Sequence, residues 1–218
     1  MKWFEEEYKE NLGLRYNTML KALEIYKENK GEVILETGTT RLANDWGAGY
    51  STIVFGHFLR HNLGKLITVD IAQENIDKCR DLTILFAKNI EYVVSDSLEY
   101  LENYKGNIDL LYLDSYDYPM GELLTIYNGQ ENVEEAMKAL YSMTEEEIVS
   151  KHLSVINDSQ EHQLKEFKLA EKFLEKGTPI LLDDSRLPGG GKTRLTKKYL
   201  KEIGATCVLD EYQSLWVL

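Results

Sequence analysis

Five aspartates stand just past short apolar runs in this chain, and that placement is its main chemical signal. Leu66-Ile67-Thr68-Val69 ends in Asp70, and Tyr92-Val93-Val94 ends in Ser95-Asp96. Residues 108–113 end in Asp114, and Pro179-Ile180-Leu181-Leu182 ends in Asp183-Asp184. An earlier run, Val33-Ile34-Leu35, leads into Glu36-Thr37-Gly38 and later Gly47-Ala48-Gly49-Tyr50-Ser51-Thr52. Glycines let a backbone approach a ligand with no side chain in the way. A helix starting near Ser51 would add unpaired N–H groups.

Asp70 and the following Ile71 are candidate cofactor contacts, because an ionised carboxylate there can accept both hydroxyl hydrogens of a ribose. Asp96-Ser97 could bracket an adenine ring. These features suit a nicotinamide dinucleotide as well, although Thr52 stands where its fingerprint needs a third glycine. Asp114, Asp183 and Asp184 point elsewhere. Three carboxylates converging at neighbouring strand ends repel one another unless a cation joins them. Hard oxygen ligands with open positions suit magnesium, calcium or manganese. Taken singly, each of these aspartates could equally cap a helix or a turn.

The elements that must position these residues follow from periodicity. Leu12, Tyr16, Met19, Leu20, Leu23 and Tyr26 recur at helical spacing, predicting one opening helix that ends near Gly31. The apolar runs read as buried strands, with helices over 51–61, 74–87, 97–102 and 162–174 between most of them. Alternation of this kind predicts a parallel sheet with helices on both faces and ligands at the carboxyl ends of its strands. At the C-terminus, Thr206-Cys207-Val208-Leu209 and Ser214-Leu215-Trp216-Val217 leave no room for a helix between them, so they should pair as an antiparallel hairpin. Residues 115–161 show no strand pattern. An insertion of that length after a candidate active-site strand reads as a lid or substrate-recognition element, the alternative being a surface helical decoration.

With 218 residues the chain is long enough for one large domain. A net charge of -12 disfavours nucleic acid and anionic lipid as partners. No apolar run approaches the roughly 20 residues of a membrane span, and MKWFEEEYKE lacks the pattern of a signal peptide. Cys79 and Cys207 form neither a disulfide framework nor a zinc pattern. A cytoplasmic protein acting on a small molecule is the expectation, with a homodimer left open. Gly191-Lys192-Thr193 is not a phosphate-binding loop, because Arg186 stands where that motif needs glycine. His57, His61 and His162 read as surface or salt-bridged groups, and His152 as a residue that could enter a substrate pocket.

From residue 32 onward the chain resembles the class I S-adenosylmethionine-dependent methyltransferases, and within them the metal-dependent O-methyltransferases of the catechol O-methyltransferase type. Glu36-Thr37-Gly38 resembles their first strand-end motif, which contacts the methionine part of the cofactor, and Gly49-Tyr50-Ser51 resembles their Gly-Tyr-Ser at the first helix. Ile67-Thr68-Val69-Asp70 resembles the ribose-holding motif, and Asp96-Ser97 falls where adenine contacts lie. Leu110-Leu111-Tyr112-Leu113-Asp114 resembles the motif whose aspartate binds metal. Residues 176–184 resemble the strand that ends in Asp-Asn and supplies further metal ligands. The resemblance implies a Rossmann-like sheet of seven strands. It also implies S-adenosylmethionine as cofactor, with contacts from Glu36, Thr37, Gly38, Gly47, Gly49, Tyr50, Ser51, Asp70, Ile71, Asp96, Ser97 and Asp114. A divalent ion would rest on Asp114, Asp183 and Asp184.

Three departures accompany it. The loop between Gly38 and Gly49 is long. Asp117 stands where the family has its catalytic lysine, and Asp184 replaces its asparagine. Lys192, after Gly189-Gly190-Gly191, is the candidate replacement base, although a lysine after a glycine turn is ordinarily solvated. Two rival functions stay open: a nicotinamide-dependent oxidoreductase, and a protein that binds S-adenosylmethionine without turnover.

Overall fold

The structure is a computed structural model, and it describes residues 1–48, 50–127 and 132–218. Two helices open the chain, α1 over Lys2–Leu12 and α2 over Tyr16–Glu28, with a 3-10 turn at Gly13–Arg15 between them. The single opening helix expected from periodicity is therefore two. Phe4, Tyr8 and Leu12 repeat every four residues and bury the inner face of α1. Gly13 then takes φ +50 and turns the chain, which a side chain there would resist.

Strand β1 (Val33–Thr37) is followed by α3 (Ser51–Arg60), β2 (Lys65–Asp70), α4 (Gln73–Leu82) and β3 (Ile90–Val94). Then come α5 (Ser97–Asn103) and β4 (Leu110–Leu113). The strand expected over 108–113 starts two residues later, since Ile108 makes only an isolated bridge to Leu174. The insertion is helical: α6 (Met120–Ile126), α7 (Val133–Ser142) and the first part of α8 (Glu145–Ala170). The helix expected over 162–174 is the last part of α8 and a 3-10 turn at Glu171–Phe173, and a Thr144–Glu147 capping box starts α8 far upstream. Strand β5 (Pro179–Leu182), helix α9 (Arg194–Glu202) and strands β6 (Thr206–Asp210) and β7 (Ser214–Val217) complete the chain.

The sheet order is β3-β2-β1-β4-β5-β7-β6. The first five strands in that order are parallel; β7 pairs antiparallel with both β5 and β6, as the expected hairpin requires. This inserted antiparallel strand separates the fold from the 3-2-1-4-5-6 order of dinucleotide-binding sheets. Alternate strand residues serve opposite faces. Ile34, Leu66, Leu110 and Leu181 pack with α1, α2 and α3; Leu35, Ile67, Leu111 and Ile180 pack with α5, α8 and α9. The insertion has its own small core of Tyr118, Leu123, Leu140, Ile148 and Ile156. In register, Leu113 lies opposite Leu182. Asp114 and Asp183 therefore emerge side by side, as the strand pattern predicts.

Candidate functional site

Two chambers open at the carboxyl ends of the parallel strands and share Gly38, Asp70 and Ser115 in their walls. One, of about 260 Å³, is mostly apolar and is lined by Val69, Ile71, Asp96, Ser97, Tyr116 and His162. The other, of about 400 Å³, is polar and contains Gly47, Ser51, Asp114, Asp184 and Lys192. The polar chamber alone lies within the size range of small-molecule sites. Asp70 stands at their junction. Its Oδ1 accepts from the Ala72 N–H at 2.9 Å and from Asn75 at 3.0 Å. Its Oδ2 accepts no hydrogen bond from the described residues.

Glu36 and Thr37 do not line the cleft; both are fully buried beneath it. Glu36 instead receives the hydroxyls of Ser51 and, at 2.8 Å, Thr52. Burial pushes its carboxyl up to about 7 even though Ser51, Thr52 and Thr68 donate to it. Thr52 also accepts from the Thr40 N–H at 2.9 Å while Thr40 Oγ1 accepts from the Thr52 N–H at 3.2 Å. The residue that breaks the dinucleotide fingerprint thus stitches the loop to α3. Gly38 has φ +82, and a Cβ on it would stand 2.6 Å from the Asp114 carbonyl oxygen. Tyr50 lies outside the cleft with its ring against Trp46 at 4.5 Å, and Gly49 lies outside the described residues. Asp96 lines the apolar chamber but also caps α5, accepting from Leu98 N–H at 2.8 Å.

The acidic trio converges, and protein cations meet it. Lys192 Nζ is 2.5 Å from Asp114 Oδ1 and 3.1 Å from Asp184 Oδ2. Arg15 Nε is 3.0 Å from Asp183 Oδ2, and Tyr112 donates to the same oxygen at 2.6 Å. The Asp184 N–H fills Asp183 Oδ1 at 2.7 Å, and Tyr212 donates to Asp184 at 2.9 Å. Burial alone would raise the Asp183 carboxyl; Arg15, Lys192, Tyr112 and the Asp184 N–H hold it below the ordinary carboxylate range. Burial works against the Lys192 charge, but Asp114, Asp184 and Asp183 outweigh it and raise its pKa. The expected solvated lysine is instead buried, being 3% exposed. Its surroundings favour the ammonium, whereas a general base needs the free amine.

No family model matches the chain, and no curated protein matches it. Solved structures do. An O-methyltransferase from Bacillus cereus, in complex with SAH, is 17% identical over 100% of this chain and 96% of that one, with a TM-score of 0.53. The SAH-bound methyltransferase PaMTH1 of Podospora anserina is 12% identical over 99% and 84%, with a TM-score of 0.53. The calicheamicin methyltransferase CalS11 is 13% identical over 94% and 80%, with a TM-score of 0.56. The chain has the class I methyltransferase fold.

In open parallel sheets ligands bind in the crevice at the carboxyl ends of the strands, and Gly38, Asp70 and the apolar chamber stand there. The donor set does not fit a divalent ion as it stands. Among the described residues no group of three or more His, Cys, Asp or Glu is arranged to hold one. Asp183 is fully buried with both oxygens engaged, and Lys192 lies between Asp114 and Asp184. The repulsion that called for a metal is relieved by Arg15 and Lys192.

Sequence reasoning missed Arg15, whose place in the cleft depends on the turn at Gly13. Phe4, Tyr8 and Leu12 were the available signal for a separate first helix. It also missed His162, which lines the apolar chamber, contacts Ser97 Oγ at 3.1 Å and lies beside buried Glu166 at 3.6 Å. His152 does not enter the cleft; it packs in the insertion, with Nε2 2.8 Å from Tyr127 Oη. From the insertion, Tyr116, Asp117 and Tyr118 reach the cleft wall. Asp117, at the family's lysine position, pairs with Arg41 at 3.4 Å.

Proposed function

We propose that this chain is an S-adenosylmethionine-dependent methyltransferase that methylates an oxygen of a small molecule. The observation that carries the reading is that the two chambers adjoin at Asp70, which lines both. An apolar recess, a carboxylate with an unengaged oxygen, a glycine corner and a charged chamber follow one another along a single cleft. That sequence of surfaces matches adenine, ribose, amino acid and reacting group in order. The likeness to an O-methyltransferase solved with SAH supports the same reading.

When bound, S-adenosylmethionine supplies an electrophilic methyl group on a sulfonium. The rest falls to the chain. Asp70 Oδ2 accepts ribose hydroxyls. Ile71, Tyr116 and Val69 cover the base, and His162 and Ser97 offer polar contacts at its edge. Gly38 keeps the floor low enough for the amino-acid portion. Asp114 and Asp184 give the polar chamber a negative field that accommodates a sulfonium before transfer. Tyr118 and Leu187 wall the acceptor side and help exclude water. Alignment of the acceptor oxygen with the methyl is the main catalytic contribution such a cleft makes.

The β7 position weighs against the nicotinamide alternative, as does Thr52 in its stitching role. The test is incubation with methyl-labelled S-adenosylmethionine and a panel of phenols, enols and carboxylic acids. Label should appear in an oxygen-linked methyl group. Saturable nicotinamide binding with no response to S-adenosylmethionine would reverse the assignment.

A further inference from the structure

The carboxylates at the ends of β4 and β5 need positive charge, and the fold supplies it from two distant parts of the chain. Neither cation arrives by accident of surface packing. Gly191 has φ +58, and a Cβ there would stand 1.6 Å from the Asp184 carbonyl oxygen, so glycine alone lets the loop fold back on β5. Gln160 of α8 donates to the carbonyls of Gly189 and Gly191 at 3.1 and 2.9 Å. Thr193 Oγ1 donates to the Gly190 carbonyl at 3.1 Å. Lys192 is thereby fixed at the mouth of the trio. Arg15 is presented by the turn after α1, with its guanidinium 4.4 Å from the Tyr212 ring centre.

We propose that Lys192 takes the place of a divalent ion, so that this cleft carries its cation covalently and is closed to divalent metal. An incoming ion would compete for the Asp114 and Asp184 oxygens with an ammonium already held between them. Arg15 and Lys192 offset two of the three charges that the carboxylates can carry, leaving too little to draw a strongly hydrated dication from water.

The substrate consequence rests on the methyltransferase reading. An ammonium has three N–H donors, and Asp114 and Asp184 take two. The third is available to an acceptor oxygen in the chamber that Lys192 lines. One charge shared among carboxylates acidifies a hydroxyl less than a divalent ion does. The acceptor class is therefore an oxygen acid that is already ionised near neutral pH, a carboxylic acid or an acidic enol or phenol, whose proton leaves to solvent. The oxyanion's lone pair forms the new C–O bond as the C–S bond breaks. The departing pair stays on sulfur, and the sulfonium becomes a neutral thioether.

The test is Mn2+ uptake by the wild-type chain and by Lys192→Met, followed by the electron paramagnetic resonance signal of the free ion. Both proteins are titrated with SAH in parallel by calorimetry. The wild type should leave free Mn2+ undiminished. The variant should bind it at least roughly tenfold more tightly, because a unit charge at ion-pair distance has been removed. Equal uptake by both proteins, or a folded variant that leaves Mn2+ free, overturns the proposal. If the variant does not fold, the wild type decides alone: saturable uptake refutes, and its absence supports. An absent SAH response would count against the methyltransferase reading only, since the Mn2+ result does not depend on it.

Discussion

Glu36 should make the protein less stable as pH rises from about 4.5 to about 7, and a glutamine in its place should remove that loss. Its carboxyl is fully buried under the loop that it anchors. Burial lifts it from the ordinary 4.5 to about 7. Below pH 4.5 both the folded and the unfolded states carry the proton. Between 4.5 and about 7 the unfolded state releases it while the folded state keeps it, so folding takes up a proton and stability falls as pH rises. Above about 7 both states are ionised and the full cost is present. At about 1.36 kcal/mol per pH unit the interval corresponds to about 3 kcal/mol. For a chain of this size that is a shift of about 6–12 °C in Tm.

The assay is thermal or urea denaturation of wild type and Glu36→Gln from pH 4.5 to 8.5. Other carboxylates titrate in both proteins, so the difference between them isolates position 36. The wild type should lose ground to the variant as pH rises, most of it below about pH 7. A difference that stays constant, or one that grows in favour of the wild type, would refute the reasoning.

Three further outcomes follow from the same geometry. Gly38→Ala should cost about 2 kcal/mol in denaturation and abolish calorimetric SAH binding, because its Cβ would meet the Asp114 carbonyl at positive φ. Asp70→Asn should retain the fold and weaken SAH binding by roughly tenfold to a hundredfold, the worth of hydrogen bonds to a charged acceptor. Arg15→Met leaves Asp183 buried without its main cation and should cost about 3–5 kcal/mol in urea denaturation, far more than an exposed ion pair such as Lys2–Glu6.

Much of the scaffold could be read from the chain because short apolar runs and strand-end polarity are local signals. Ile34 and Leu35 serve opposite faces, as neighbours in a strand must. The closing hairpin was readable for a similar reason: four residues between two apolar runs leave no space for a crossover. The charge pattern of the site was less readable. Arg15 and Asp183 are 168 residues apart, and no local pattern announces their pairing. Lys192 looks like a solvated side chain until the positive φ of Gly189, Gly190 and Gly191 folds its loop inward. Glu36 resembles a cofactor contact by position, yet its carboxyl is spent on Ser51 and Thr52. Convergence of three aspartates was foreseen, while the identity of the neutralising cation depended on contacts from distant segments.

The most direct test is a crystal structure of the protein with SAH. The account places adenine beside Ile71, Tyr116 and His162, both ribose hydroxyls on Asp70, and sulfur in the chamber of Asp114 and Lys192. Ligand bound away from Asp70, or a metal ion seated between Asp114 and Asp184 with Lys192 swung out, would contradict it.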